Sequence, residues 1–311
     1  MHFAVEGWAP EYGAPLDPGA LADPATPADL GVEVPVEEWA PRAPAPGTAA
    51  PASVLFVDGV RRIDARVWVT AEDGRVHQGI CASYASGAVR CDGRARLVHH
   101  RVARGLFCPA REAEPVVTRH ATFPLRPVAG DDLEQLSLSL QRCMGDLEAE
   151  VATDVAGGAD LVVIDGPLKH GGALPAAVGY IKTHHVSYLP VELDHVVGAL
   201  APGERTPLFV TTSLRWSRYS WYVRLPGASG HPWAGVVRCE VAAEGTVADA
   251  ATVADQVAAT LPRFASQAHK DPRAPQNLHP IAGLERELRR RLGDPALLYR
   301  SLRAAATPPS G

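Results

Sequence analysis

ADLVVIDGPL, residues 159–168, decides how the rest of the chain is read. Its apolar run is too short and too uniform for a helix and stops at Asp165-Gly166-Pro167, so it reads as a strand buried on both faces with Asp165 at its C-terminal end. Toward the N-terminus, Leu133, Leu136, Leu140, Met144, Leu147, Val151 and Val155 recur at three- and four-residue steps and stop at Gly157-Gly158, which predicts a long amphipathic helix. Before that helix, SVLFVDGVRRIDARVWVT (53–70) reads as an apolar strand, a break at Asp58-Gly59 and an alternating second strand. GRVHQGICASYASGAVRC (74–91) adds a further strand pair, completing a β-meander. Beyond the central strand we expect a short strand at 179–183, a helix near 190–200, and strands in PLFVTTS, SRYSWYVRLPG and GVVRCEVA. Helices follow at 247–266 and 280–304.

Meander, helix, buried central strand and further α/β units is the order expected of a ribonuclease H-like fold, an α/β mixed sheet with flanking helices. Residues 1–52 differ in character. They are rich in Pro, Ala and acidic side chains, and APRAPAPGTAAPA holds neither helix nor ladder, so they read as an extended or partly disordered N-terminal arm. The domain proper is then 53–311, which is enough chain for one substantial core.

Hydrophobic residues at 46%, charged residues at 21% and a mean hydropathy of −0.04 match an ordinary globular protein. No basic segment followed by an apolar core marks the N-terminus, and no apolar run suits a membrane span, so the expected location is cytoplasmic. The five cysteines (81, 91, 108, 143 and 239) form no Cys-x-x-Cys pair and read as reduced thiols. A net charge of −5 sits awkwardly with nucleic acid. Distribution matters more than the total: acidic residues crowd the first forty positions, while arginines cluster at 61–66, 94–104 and 286–291.

The sequences Val57-Asp58-Gly59 and Ile164-Asp165-Gly166 each place a carboxylate where an apolar strand meets a glycine. Side by side, two such strands would converge their acids. Phosphodiester cleavage uses that arrangement, because carboxylate oxygens must hold divalent cations that activate water and stabilise the leaving oxygen. Asp-Gly is equally a plain turn signal. A third carboxylate is available on the helix: Glu148 borders its buried face, Glu150 lies on the opposite flank, and Asp146 and Asp154 point to solvent. Trp216, Tyr219 and Trp221 surround Tyr222, interleaved with Arg215 and Arg218, a composition that suits single-strand binding and a protein interface equally. His99-His100 and His184-His185 are set aside as zinc ligands, since neighbours on a strand face opposite ways. GASGHPWAG lacks the lysine and the frame of a nucleotide-binding loop.

FVDGVRRIDARV, LEAEV within the helix, LVVIDGPLKHGG, GYIKT, WYVRL and QNLHPIAGLERELRRRLGD occur in the order seen in NurA nucleases, and the resemblance runs from about residue 54 to the C-terminus. It implies manganese, or magnesium, bound by Asp58, Glu148 and Asp165, with Glu150 as the alternative at the helix position. Lys182 and Tyr222 match motif positions too. The lysine would hold the scissile phosphate, and the tyrosine would position it or stack on a base, or else serve as a core aromatic. Two departures stand out: Val60 follows Asp58-Gly59 where the family has serine, and Glu285 stands where the family commonly has a metal-binding histidine. Glutamate still binds a hard cation, and His279 is a second possible donor. The resemblance further implies a DNA nuclease acting as a 5'-3' exonuclease, a single-strand endonuclease or both. It implies a homodimer docked on a HerA-type hexameric ATPase. The competing reading is a catalytically weak ribonuclease H-like module that binds DNA or a translocase without cutting.

Overall fold

β-Branched and aromatic side chains at alternate positions build three long strands, β1 (Val54–Thr70), β2 (Val76–Cys91) and β3 (Ala95–Cys108), paired antiparallel in sequence order. The computed structural model describes residues 28–71, 73–168, 174, 177–184, 187–212, 216–228 and 230–306. A short hairpin, β4 (Val116–Val117) with β5 (Thr122–Phe123), and the strand β6 (Leu125–Pro127) lead to helix α1 (Leu133–Val155). Asp132 caps that helix by accepting from the Gln135 amide. Strands β7 (Leu161–Asp165) and β8 (Ala177–Ile181) follow, then α2 (Asp194–Ala199), β9 (Phe209–Thr212), β10 (Ser217–Arg224) and β11 (Val236–Ala242). Helices α3 (Val247–Thr260), α4 (His279–Arg291) and α5 (Pro295–Ala306) close the described chain.

One nine-stranded mixed sheet runs β6-β3-β2-β1-β7-β8-β11-β10-β9. β7 lies at its centre, parallel to β1 on one side and to β8 on the other. That placement makes it buried on both faces, as its unbroken apolar run requires. Val54, Phe56, Leu161 and Val163 turn to one face, packed with Ala254 and Val257 of α3 and Ile281 of α4. Leu55, Val57 and Val162 turn to the other, against Val151 and Ala152 of α1. The mixed sheet with flanking helices is the architecture expected from the element order.

Two expectations are corrected. No break interrupts residues 54–70: β1 passes straight through Asp58-Gly59, with one irregularity between Ile63 and Ala65, and β2 is likewise a single strand. Gly59 does not adopt the positive φ of a turn. It is small because α1 crosses there, and an added Cβ would lie 2.5 Å from Glu148 Oε1 and 2.9 Å from Met144 Cγ. The final helix expected over 280–304 is two helices. α4 ends at Leu292, and Pro295, favoured at a first helical position, opens α5.

The described part of the N-terminal region, residues 28–52, lies against the sheet. Trp39 is buried beside Phe209, and Asp29 and Arg42 bridge to Val210 and Arg205. Arg205, 2% exposed, holds both oxygens of Glu33 at 2.9 Å and Asp255 of α3 at 2.6 Å. Residues 1–27 of the expected arm lie outside the described residues. Among the described residues no helix is long and apolar enough to cross a membrane.

Candidate metal centre

The parallel pairing of β1 with β7 sets Val54–Val57 beside Leu161–Ile164, so Asp58, within β1, and Asp165, at the end of β7, come next on their strands, and both aspartates turn to the face covered by α4. Gly166 takes a φ of +96°, which bends the chain away directly after Asp165. From α4, Glu285 reaches the same point, and one oxygen from each of Asp58, Asp165 and Glu285 lies within 4.8 Å of the others. Asp58 is 5% exposed and Glu285 7%.

Fixed cations flank the trio. Lys182, two residues beyond Tyr180 and so on the same face, donates to Asp165 Oδ2 at 2.6 Å and to Asn277 Oδ1 at 3.1 Å. Arg273 donates to Glu285 through both arms, Nη1 to Oε1 at 2.9 Å and Nη2 to Oε2 at 2.6 Å. The loop carrying Arg273 is itself pinned. Asn277 donates to Asp271 at 2.7 Å, Gln276 donates to the Lys182 and Val236 carbonyls, and Tyr180 donates to the Gln276 carbonyl at 2.6 Å.

Electrostatics follow from burial. Desolvation, then the charge of Asp165, hold the Asp58 carboxyl well above the usual carboxylate range, and Lys182 only partly counters them. Desolvation likewise raises Asp165 against the pull of Lys182. Lys182 loses hydration too, yet Asp165, Asp58 and Glu285 lift it above its ordinary value, so it stays charged. Burial works against Glu285 ionising, but its Arg273 hydrogen bonds and the Lys182 charge outweigh that and hold it low.

Asp58 Oδ1 accepts from the Gly59 amide at 2.7 Å. Asp58 Oδ2 and Asp165 Oδ1 are buried without a hydrogen-bond partner. Buried carboxylate oxygens left in that state are costly unless something positive meets them. Three hard oxygen donors converging on a point, two of them with such oxygens, fit a divalent cation of the magnesium or manganese kind.

Other residues singled out from the sequence lie elsewhere. Glu148 is buried but approaches from the α1 face, behind Gly59, and is not one of the three converging carboxylates; its charge nonetheless adds to the rise at Asp58. Glu150 is exposed and ion-paired with Arg101 at 2.7 Å. Tyr222 points to the face opposite Asp165, 1% exposed, with its ring on Phe209 and Trp233. His184 packs on the same two rings of Tyr222 and Trp233, and His185 lies outside the described residues. His279 opens α4, exposed, and lines a pocket with Pro51, Val54, Arg94 and Arg263 at the N-terminal start of β1, and it is not among the converging side chains.

Arg273, Asn277 and Asp271 were missed. The signal available was DPRAPQN, residues 271–277, a loop dense in hydrogen-bonding side chains immediately before α4. Members of all three arginine clusters meet. Arg62 and Arg104 both donate to carbonyls at the end of α4, where Arg291 contacts His100.

Comparison with known proteins gives one family model, described as the NurA domain, which matches residues 129–290. The crystal structure of the NurA nuclease from Sulfolobus solfataricus is similar over 86% of this chain and 88% of that one, at 11% sequence identity and a TM-score of 0.48. No curated protein matches the chain.

Proposed function

The chain belongs to the NurA domain family, and on that premise we propose that it is a divalent-metal-dependent DNA nuclease hydrolysing phosphodiesters at DNA ends. The observation that carries this reading is the convergence of Asp58, Asp165 and Glu285 within 4.8 Å, with unpartnered oxygens on the two aspartates. When bound there, manganese or magnesium supplies an activated water and charge neutralisation at the phosphate.

The chain's own residues do the rest. Asp58 and Asp165, on adjacent parallel strands of a buried sheet, give a rigid pair of donors that needs little rearrangement. Lys182, charged and held between Asp165 and Asn277, is placed to meet a phosphate oxygen. Glu148, buried on the α1 side of β1 against Gly59, is the proposed further donor to the same cation. Tyr222 acts from the aromatic cluster beneath the sheet and shapes β10. The arginines around the end of α4 offer a basic surface for the DNA backbone despite the net charge of −5.

We further assign exonuclease action in the 5'-3' direction, single-strand endonuclease action, or both, in DNA end processing for repair or phage defence. A cytoplasmic homodimer fed by a HerA-type hexameric ATPase is the proposed assembly, and the region before residue 53 is the proposed arm outside the nuclease domain. One observation favours a second reading, a weakly catalytic DNA- or translocase-binding module: both oxygens of Glu285 are engaged by Arg273.

The deciding experiment incubates purified protein with end-labelled single- and double-stranded DNA and manganese, beside Asp58→Ala and Asp165→Ala. Metal-dependent cutting by the wild type, lost in both variants, is expected. Cutting that persists unchanged in both overturns the assignment, and no cutting even with the ATPase present favours the binding module.

A further inference from the structure

We infer, resting on the reading of the trio as a metal centre, that it takes one divalent cation and that Arg273 excludes a second by holding Glu285. Three carboxylates present six oxygens, and four of them already accept a hydrogen bond. Arg273 takes both from Glu285, Lys182 takes Asp165 Oδ2, and the Gly59 amide takes Asp58 Oδ1. The two with no partner, and so the most open to a cation, are Asp58 Oδ2 and Asp165 Oδ1, one oxygen from each of two neighbouring strands. Metal–oxygen bonds of about 2.0–2.6 Å let two such oxygens share one ion.

A second ion needs a carboxylate of its own on the other side of the pair. Glu285 is the remaining member of the trio, and its partner is no flexible surface side chain. The Arg273 side chain is 13% exposed, its Nε lies 3.4 Å from Asp271 Oδ1, and its backbone amide donates to the same oxygen at 2.8 Å. Guanidinium keeps its charge at any working pH and matches a carboxylate with two parallel bonds, so it competes with a cation for both Glu285 oxygens and repels one that approaches. Arg273 is therefore a positioning residue that sets the metal count.

Manganese titration followed by calorimetry and electron paramagnetic resonance tests this. The wild type is expected to bind one ion per chain. Arg273→Gln frees Glu285 and is expected to bind two, with the resonance broadening of a coupled pair, and adding Glu285→Gln returns the count to one. Two ions in the wild type, or one in a folded Arg273→Gln, overturns the inference and leaves the nuclease reading standing. No manganese binding by the folded wild type overturns the metal-centre reading itself. Should Arg273→Gln not fold, Arg273→Ala, which removes both the charge and the two-bond hold, takes its place, with two ions expected and an unchanged count in the folded variant overturning the inference.

Discussion

Lys182 Nζ stands 2.6 Å from Asp165 Oδ2 with only 10% of the lysine side chain exposed, so each is the other's main compensation for lost hydration. Removing one partner of such a pair leaves an uncompensated buried charge, which typically costs about 3–5 kcal/mol. Lys182→Met is therefore expected to lose stability of that order at pH 8. At pH 5 the loss is expected to be smaller, because without the ammonium the already raised Asp165 carboxyl protonates more readily and sheds its charge. Urea unfolding at the two pH values measures this, and an equal loss at both would contradict it.

Asp58 offers the opposite sign. Its folded-state pKa lies well above 3.8, so ionised Asp58 disfavours the metal-free fold. That penalty is fully present above the raised folded value and fades as pH falls through it toward 3.8. Asp58→Asn removes the charge while keeping the shape. We expect metal-free protein carrying it to gain about 0.5–2 kcal/mol at pH 8, to gain little near pH 4, and to lose cleavage. Denaturation in chelator across that range checks it; a uniform destabilisation would show Asp58 to be structural.

Much of this was legible in the sequence where a pattern is local. The LVVID run and the helical spacing from Leu133 to Val155 each predicted their element, because burial on two faces and burial on one stripe leave different periods. Asp58 was harder. Asp-Gly signals a turn, but Gly59 serves a close approach by Glu148, and that demand comes from a helix some ninety residues away. For Glu148, helix periodicity shows that the side chain borders the buried face and does not show which face of the sheet it meets. The Arg273–Glu285 pair was invisible because it depends on how the 271–277 loop folds back on β8, which no spacing encodes.

The close approach at Gly59 makes its own prediction. A Cβ there meets Glu148 Oε1 at 2.5 Å and Met144 Cγ at 2.9 Å, both side-chain atoms that must move. Gly59→Ala is expected to cost about 1–3 kcal/mol, as overpacking usually does. Combined with Glu148→Ala, which clears the nearer of the two obstructions, part of the cost should vanish, the remainder belonging to Met144. A double-mutant cycle with a coupling energy near zero would mean the backbone, not Glu148, absorbs the methyl.

The last prediction concerns the described N-terminal region. Burial opposes ionisation of Glu33, but its hydrogen bonds from Arg205 prevail and hold its carboxyl below 4.5. A depressed folded pKa contributes stability that is present above 4.5 and lost as pH falls through the folded value. Arg205→Met takes away that partner and strands Asp255 as well, so about 3–5 kcal/mol of destabilisation is expected. Two structures anchored on Arg205 should then loosen together: residues 28–52 against β9 and β10, and α3 near Asp255. Limited proteolysis at neutral pH should cut the variant within 28–52 well before the wild type, and the wild type should become similarly sensitive as pH falls through the lowered folded value of Glu33. Protection of residues 28–52 that survives Arg205→Met would place the anchor at Trp39, whose ring packs on Phe209 and donates to the Leu30 carbonyl at 2.9 Å.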